Sequence, residues 1–298
     1  MSKRIALTGS SAMVGTALTA HLRSRGDEVV RLVRRPPQAP DELEWDPPSR
    51  RLDPSILAGV DAVVHLAGAG PSDHRWTPAY QRELLTSRVD GTTTVATALA
   101  ELSTPVRLVS QSAIGFYGDR GEEVLTEASQ PGEGFVPEMV RAWEDSADPA
   151  RAAGLSVAHP RTGLVMAASG GALERMTTLA RLGINGPLGS GRQWWSWISL
   201  RDTVAALAHL VDHPDITGPV NVVAPEPQRQ RDVARALGHA LHRPSVLPAP
   251  AFGVRLVLGG FADEVLTSKR VSPTRLLGTG FAHRDTDLAQ LLRTEVAS

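Results

Sequence analysis

The chain has 298 residues, 42% of them hydrophobic, and its 31 basic and 32 acidic residues give a formal net charge of -1. This size and composition allow a substantial core, and the balanced charge argues against a general nucleic-acid or anionic-membrane binder. The chain has no cysteine, which excludes disulfides, thiolate metal sites and cysteine nucleophiles. We therefore expect a small-molecule partner, with no nucleic acid and no membrane.

The first predicted elements are an apolar strand that begins at residue 4, a glycine turn and the start of a helix. A strand so near the start leaves no room for a signal peptide, so we expect a cytoplasmic protein. In the turn, Gly-x-x-Ala-x-x-Gly, small residues let main-chain amides approach a pyrophosphate, and the helix N-terminus adds partial positive charge. The pattern predicts a dinucleotide site, with an ordinary βαβ unit as the alternative. The residues expected to bind the cofactor there are Gly9, Ser10, Ser11, Ala12, Met13, Val14 and Gly15.

Further strand-like runs alternate with helical patterns along the chain. The predicted strands cover residues 5–8, 29–33, 62–67, 106–110, 157–159 and 220–223. The predicted helices include residues 77–102, a helix from Pro137 that Pro149 ends or kinks, and one after the capping-box spacing Ser199-x-x-Asp202. Alternating strands and helices predict an α/β fold of the Rossmann type, with a doubly wound parallel sheet.

Proline-punctuated helical segments after Pro225 predict a smaller C-terminal substrate lobe. We place the first domain at residues 1–225, with a substrate-side insertion at about 166–200, and the lobe at 226–298. Residues 251–261 form an apolar segment too short to span a bilayer. We expect a core helix there.

Several motifs together resemble the extended short-chain dehydrogenase/reductase superfamily. Beyond the glycine turn they lie at residues 61–68, 75–77, 87–92, 112–119, 143–144, 161–163, 186–192 and 197–198. Within that superfamily the chain is similar to NAD-dependent epimerase/dehydratase-like, cell-division-inhibitor-like proteins with a C-terminal domain of unknown function, here at about 243–292. The resemblance implies the fold over nearly the whole chain and a homodimer, but fold analogy alone does not supply a reaction.

The end of the second strand points to NADP(H) as the cofactor. NAD-preferring relatives carry an acidic side chain there, whereas this chain has Arg34 and Arg35. Guanidinium groups suit a 2′-phosphate, and the alternative is two solvated arginines in an arginine-rich chain. The resemblance also places Leu66, Ala67 and Gly68 beside the cofactor.

The usual catalytic pair of the superfamily is absent. In relatives a tyrosine moves the substrate proton, and a lysine four residues later lowers the tyrosine pKa. The two tyrosines here, Tyr80 and Tyr117, have no lysine at that distance. The resemblance places the missing pair near Val136 and Val140, so Val140 is expected beside the cofactor.

The remaining candidates for catalysis are Ser112, which matches the superfamily's catalytic serine, and Tyr117. For Tyr117 a structural or binding role is favoured over a role as an acid. Arg141 and Glu144 lie three residues apart on one predicted helix face, where an ion pair is favoured over an acid/base pair in a pocket.

The predicted substrate-binding residues are Arg161, Arg192, Trp194 and Trp195. Arginine forks bind carboxylates and phosphates, and tryptophan faces accept rings or sugars. Packing between the lobes is an equally weighted alternative for the tryptophans. No spacing suggests a metal, a nucleophile elbow or a Walker loop.

Two functions remain open. One is an NADP(H)-binding oxidoreductase or epimerase-like enzyme for a small carbonyl, hydroxyl or sugar-like substrate. The alternative, motivated by the missing tyrosine and lysine, is a catalytically silent NADP(H)-binding sensor or scaffold.

Overall fold

A parallel β-sheet lies at the centre of the computed structural model, which describes residues 2–297. The strands are β1 (Arg4–Thr8), β2 (Glu28–Val33), β3 (Glu42–Glu44), β4 (Ala62–His65), β5 (Arg107–Ser110), β6 (Ser112–Ala113), β7 (Val124–Leu125), β8 (Val157–Thr162), β9 (Leu164–Met166), β10 (Trp194–Trp195), β11 (Trp197–Ser199), β12 (Gly218–Val222), β13 (Gln228–Arg229) and β14 (Arg270–Val271). The eight-stranded central sheet has the order β12-β8-β5-β4-β1-β2-β3, with β6 beside β8. The carboxyl ends of its parallel strands meet at one edge, which therefore can hold a site.

Helices cover both faces of this sheet. They are α1 (Met13–Ser24), α2 (Pro78–Ala100), α3 (Phe135–Asp145), α4 (Asp148–Ala152), α5 (Gly171–Arg181), α6 (Leu200–Asp212), α7 (Gln230–Ala240), α8 (Ala251–Leu258), α9 (Ala262–Leu266), α10 (Thr274–Gly278) and α11 (Leu288–Ala297). Two short 3-10 helices lie at Pro54–Leu57 and Ile114–Tyr117. None of the helices within residues 2–297 is both long and apolar enough to cross a membrane.

Alternating strand residues build two cores, one on each side of the sheet. Ile5 and Leu7 of β1 pack in the core that contains Leu18 of α1 and Leu207 of α6. Ala6, between them, packs in the core that α2 covers. Because side chains of a strand alternate between faces, a strand buried on both sides reads as a continuous apolar run. This arrangement confirms the predicted α/β fold with a doubly wound sheet.

Local sequence signals set several helix ends as predicted. Thr77 is the N-cap of α2, and its hydroxyl accepts a hydrogen bond from the Tyr80 amide at 3.2 Å. Ser199 caps α6 through the Asp202 amide at 3.0 Å. The Asp202 carboxylate instead accepts bonds from the amides of Arg284 and Asp285, so it holds the C-terminal segment against α6. Only half of the predicted capping box therefore forms.

The C-terminal residues are joined to the earlier part of the chain by pairing and packing. β14 pairs in parallel with β7, and β13 pairs with β10. Helix α11 packs against α7, while α5 and β9 from the expected insertion contribute to the same apolar cluster. Part of the expected insertion thus packs in one cluster with α7 and α11.

The expected core helix at residues 251–261 is wrong in its burial and its length. Helix α8 ends at Leu258, and Gly259, at φ +60, turns the chain. The side chains of Phe252, Leu256 and Val257 are 75%, 72% and 73% exposed. Apolar composition predicted a helix, but burial depends on neighbours that the segment does not encode by itself.

Candidate functional site

The glycine turn joins β1 to α1 at the carboxyl edge of the sheet. Gly9 has φ +69, which favours glycine, and a side chain at Gly15 would place its Cβ 2.1 Å from the Gly9 carbonyl oxygen. Ala12 occupies the N-cap position and offers no side-chain cap to α1. The first amides of the helix therefore remain for a ligand, as a pyrophosphate requires.

Thr8 ties this turn to the end of β4. Its hydroxyl accepts bonds from the amides of Leu66 and Ala67 at 3.0 and 3.1 Å, and lies 2.8 Å from Nδ1 of His65. His65 is fully buried, and burial lowers its pKa to about 4, so the ring is neutral at pH 7. These bonds hold the backbone of residues 66–68 against Gly9, and they give His65 a packing role.

The two arginines after β2 have different surroundings. The fork of Arg35 binds both oxygens of Glu42, at 2.8 and 2.7 Å, and lowers the pKa of Glu42 to about 2. Arg34 is exposed, and its side chain has no hydrogen-bond or ion-pair partner within residues 2–297. Arg34 is therefore the arginine whose guanidinium is available to a phosphate.

A cavity of about 290 Å³ opens at the carboxyl ends of β4, β5 and β8. It continues from the segment that Thr8 holds. Its walls are formed by Leu66, Ala67, Gly68, Ala69, Gly70, Pro71, Arg88, Gln111, Ser112, Ala113, Trp143, Thr162, Gly163 and Val165. Four of these residues, Arg88, Gln111, Ser112 and Thr162, bring polar side chains to a mostly small and apolar wall.

Ser112 is hydrogen-bonded to a buried ion pair. Its hydroxyl donates to Oε1 of Glu144 at 2.5 Å, and Arg161 donates to both carboxylate oxygens of Glu144 at 2.8 and 2.7 Å. Burial would raise the pKa of Glu144, but the bonds and charge of Arg161 outweigh it, and the pKa is lowered. Glu144 is thus a carboxylate that orients Ser112, whose oxygen lone pairs remain as acceptors.

The predicted ion pair between Arg141 and Glu144 is wrong. Glu144 is buried and pairs with Arg161 of β8, whereas Arg141 is exposed on α3. Residues three apart on a helix are neighbours, which is why the sequence favoured Arg141. The guanidinium of Arg161, on the adjoining strand, instead binds both carboxylate oxygens of Glu144 away from solvent.

Tyr117 lies behind this pair and does not line the cavity. It is fully buried, donates to Oδ1 of Asn221 at 2.7 Å and accepts from Arg161 at 3.1 Å. Burial raises the pKa of the phenol, against the opposing effect of Arg161. Its contact with Ser112 is therefore indirect, through Arg161 and Glu144.

Val140 and Arg161 also lie outside the cavity wall. Val140 is fully buried in an apolar cluster with Tyr80 and Leu84, and Arg161 lies behind Glu144 with its guanidinium 3.4 Å from the Phe116 ring centroid. Arg161 is hydrogen-bonded to Tyr117 directly and to Ser112 through Glu144. Val140 contributes only to an apolar cluster.

The predicted residues near position 194 lie where β10 pairs with β13. Cζ of Arg229 lies 3.8 Å from the centroid of the Trp194 ring. Nε1 of Trp194 donates a hydrogen bond to Glu122 at 2.9 Å. Trp195 donates to the Val265 carbonyl at 3.1 Å, and Arg192 is exposed. None of Arg192, Trp194 and Trp195 lines the 290 Å³ cavity, and their contacts favour the packing alternative.

Sequence reasoning missed Arg88 and Gln111 as parts of the site. Arg88 lies on a buried stripe of α2 with Leu84 and Val95. A charged residue within an apolar stripe was the signal available in the sequence, because such a position needs a partner. Gln111 carried no comparable signal.

Comparison with known proteins gives consistent matches. The NAD dependent epimerase/dehydratase family matches residues 5–224, and a domain of unknown function, DUF1731, matches residues 249–295. An epimerase family protein of Mycobacterium bovis is 39% identical, over 97% of this chain and 96% of that protein. Human epimerase family protein SDR39U1, crystallised with NADPH, has a TM-score of 0.90 and 30% identity over 99% of both chains. The nucleoside-diphosphate sugar epimerase from Corynebacterium glutamicum has a TM-score of 0.83 and 34% identity, over 99% of this chain and 58% of that chain.

Proposed function

Because the chain belongs to the NAD-dependent epimerase/dehydratase family, we propose that it binds NADP(H) and acts as an epimerase-like oxidoreductase on a small substrate. The observation that carries this proposal is the uncapped glycine turn, which continues into a cavity with Ser112 on its wall. The human structural relative with NADPH supports the choice of cofactor. We place the protein in the cytoplasm, since its composition suits a reducing compartment.

The residues that would hold the cofactor lie at the carboxyl ends of the parallel strands. The uncapped first amides of α1 would hold the pyrophosphate, and the backbone of residues 66–68 would lie beside the adjoining nucleoside. Arg34 is free to pair with the 2′-phosphate, whereas Arg35 keeps its bonds to Glu42. When bound, the nicotinamide would supply hydride chemistry.

Ser112 would contact the substrate at its hydroxyl oxygen. Since its own proton is directed to Glu144, its lone pairs accept a hydrogen bond from a substrate hydroxyl. Glu144, held by Arg161, keeps this orientation, and Thr162 borders the same cavity. Ser112 is the catalytic residue of this proposal, and Glu144 and Arg161 are positioning residues.

The cofactor assignment is tested by titrating NADPH and NADH into wild type, Arg34→Ala and Arg35→Ala. A charge-assisted bond is worth about 1.5–3 kcal/mol, so Arg34→Ala should weaken NADPH roughly 10- to 100-fold and leave NADH nearly unchanged. Arg35→Ala should change the NADPH/NADH ratio less, because its fork is already bound to Glu42. Tighter binding of NADH than NADPH to wild type would reject the assignment.

The lack of a carboxylate, histidine or tyrosine on the cavity wall supports the alternative of a sensor or scaffold. Arg88 is the one side chain on the wall that titrates, and Tyr117 is buried behind Arg161. NADPH absorbance followed against a panel of aldehydes and ketones separates the two functions, with Ser112→Ala and Tyr117→Phe as variants. Turnover that falls in Ser112→Ala supports the enzyme, and binding of NADPH with no turnover supports the sensor.

A further inference from the structure

Arg88 is a buried arginine on the cavity wall with no counter-ion. Arg88 is only 8% exposed. Within residues 2–297, no carboxylate oxygen lies within 4.0 Å of its nitrogens. Nη1 donates to the Leu84 carbonyl at 3.0 Å, and the buried Nε has no hydrogen-bond partner. Four of the five N–H donors of this guanidinium therefore have no hydrogen-bond partner in the part of the chain that the structure describes.

The other buried arginines show how this fold normally satisfies a guanidinium. Arg161, 3% exposed, has the Glu144 carboxylate. Arg107, 6% exposed, donates to the carbonyls of Leu210 and Ile216 at 3.1 and 2.6 Å, and also contacts the Pro214 carbonyl and the Ser156 hydroxyl. Because an unpaired buried charge is expensive, the incomplete set of partners around Arg88 requires a separate explanation.

The surroundings of Arg88 hold its guanidinium in place at the cavity. A Cβ at Gly68 would lie 3.3 Å from Cγ and 3.6 Å from Cζ of Arg88, so the glycine leaves room for the side chain. On the other side, the Trp143 ring centroid lies 5.0 Å from Cζ, and the indole is fixed by a bond to Thr92 at 3.1 Å. Burial lowers the pKa of Arg88 to about 10, which still leaves it charged at pH 7.

The side chains of Gln111 and Ser112 on the wall have already used their donors. The Gln111 amide donates to the Ser112 carbonyl and to the Thr162 hydroxyl, both at 2.8 Å, and Ser112 donates to Glu144. The cavity thus presents one cationic donor, Arg88, and one oriented acceptor, Ser112. A ligand that complements both carries an anionic oxygen group and a hydroxyl.

We propose that the cavity binds a small hydroxy acid, whose carboxylate pairs with Arg88 and whose hydroxyl donates to Ser112. This inference rests on the proposed function and names its class of substrate. A cofactor pyrophosphate offers similar anionic oxygens, but the uncapped amides of α1 already provide a site for it. The carboxylate accepts hydrogen bonds from open donors of Arg88 and gives the buried charge a counter-ion.

Binding is measured by calorimetry on the full chain, with and without saturating NADPH. The probes are lactate, 2-hydroxyglutarate and mandelate, each compared with its neutral amide. Wild type should bind at least one carboxylate about 30-fold or more tightly than the amide, and Arg88→Met should lose that preference. Arg82→Gln, which removes an exposed arginine from the same helix, is the matched control and should keep it.

Thermal unfolding separates this role from a merely structural one. Without ligand, Arg88→Met should unfold at the wild-type temperature or above, because it removes an unpaired buried cation. Carboxylate should raise the unfolding temperature of wild type and Arg82→Gln but not of Arg88→Met. Equal stabilisation of all three proteins, or no preference for carboxylate over amide in wild type, would overturn the proposal.

The NADPH titration distinguishes the sources of the anion. A loss of NADPH affinity in Arg88→Met, with no carboxylate preference in wild type, assigns Arg88 to the pyrophosphate and rejects the carboxylate site. An Arg88-dependent carboxylate preference in a protein that binds no NADPH supports the site and rejects the proposed cofactor. The two proposals therefore fail on different measurements.

Discussion

The two sides of the cavity differ in how they treat buried charge. On the side of β6, α3 and β8, which we call the paired side, Glu144 and Arg161 satisfy each other and bind Ser112 and Tyr117. On the side of α2, Arg88 is equally removed from solvent but has one carbonyl partner. The first side is complete within the chain, whereas the second leaves donors for a ligand. Completeness of the hydrogen-bond network thus separates structural charge from binding charge.

The largest expected effect is on the paired side. Glu144→Gln leaves Arg161 buried without a carboxylate, and we expect it to lower the free energy of unfolding by about 3–5 kcal/mol. Urea unfolding at pH 7 measures this change. The double variant Glu144→Gln/Arg161→Met, which removes both charges, should recover part of the loss. If the double variant is the less stable of the two, burial of the pair does not explain the effect.

Acid should weaken the paired side through His159, a buried residue of β8 close enough to Glu144 and Arg161 to feel their charges. Burial lowers the pKa of His159 to about 4, from 6.5 in the unfolded chain, so unfolding takes up a proton between these values. The associated stability is complete above pH 6.5 and is lost as the pH falls towards 4, by about 3 kcal/mol at most. Unfolding free energies from pH 7 to 4 measure this loss, and His159→Leu should give a shallower curve. Arg88 remains charged over this range, so Arg88→Met should keep the wild-type slope.

Tyr117→Phe tests whether the phenol is a structural part of the paired side. Loss of the hydroxyl leaves the buried side-chain oxygen Oδ1 of Asn221 without its donor. We therefore expect the free energy of unfolding to fall by about 1–3 kcal/mol. NADPH affinity should not change, because Tyr117 does not line the cavity. Tyr80→Phe, the variant of the other tyrosine, provides the comparison. A large change in NADPH affinity in Tyr117→Phe alone would contradict the placement of the phenol.

The smallest effect is expected outside both sides of the cavity. Phe252 on α8 is 75% exposed, so Phe252→Ser should change the unfolding free energy by no more than about 0.5 kcal/mol. Val254→Ser, on the buried face of the same helix, is the matched variant and should cost more. Equal losses in the two variants would show that the exposed face contributes to packing.

The sequence predicted the edge of the sheet better than the chemistry beside it. The glycine turn, the strand ends and the arginines after β2 are local features, because neighbours in sequence decide their backbone and charge. Arg88 and Glu144 are different, since their meaning depends on residues distant along the chain. The Arg141–Glu144 pair was predicted from local spacing. Glu144 pairs with Arg161 instead, because β8 places the guanidinium of Arg161 against the buried carboxylate.

By itself the sequence determined the α/β fold, the family and the absence of the tyrosine and lysine pair. Steric freedom at Gly9 and Gly15 and apolar periodicity are properties of short segments, so they can be read without coordinates. Only the tertiary structure decided which buried charges are paired, that α8 is exposed and that Tyr117 lies behind Arg161. Solvation and hydrogen bonding depend on groups brought together from distant positions, and those groups meet only in the folded chain.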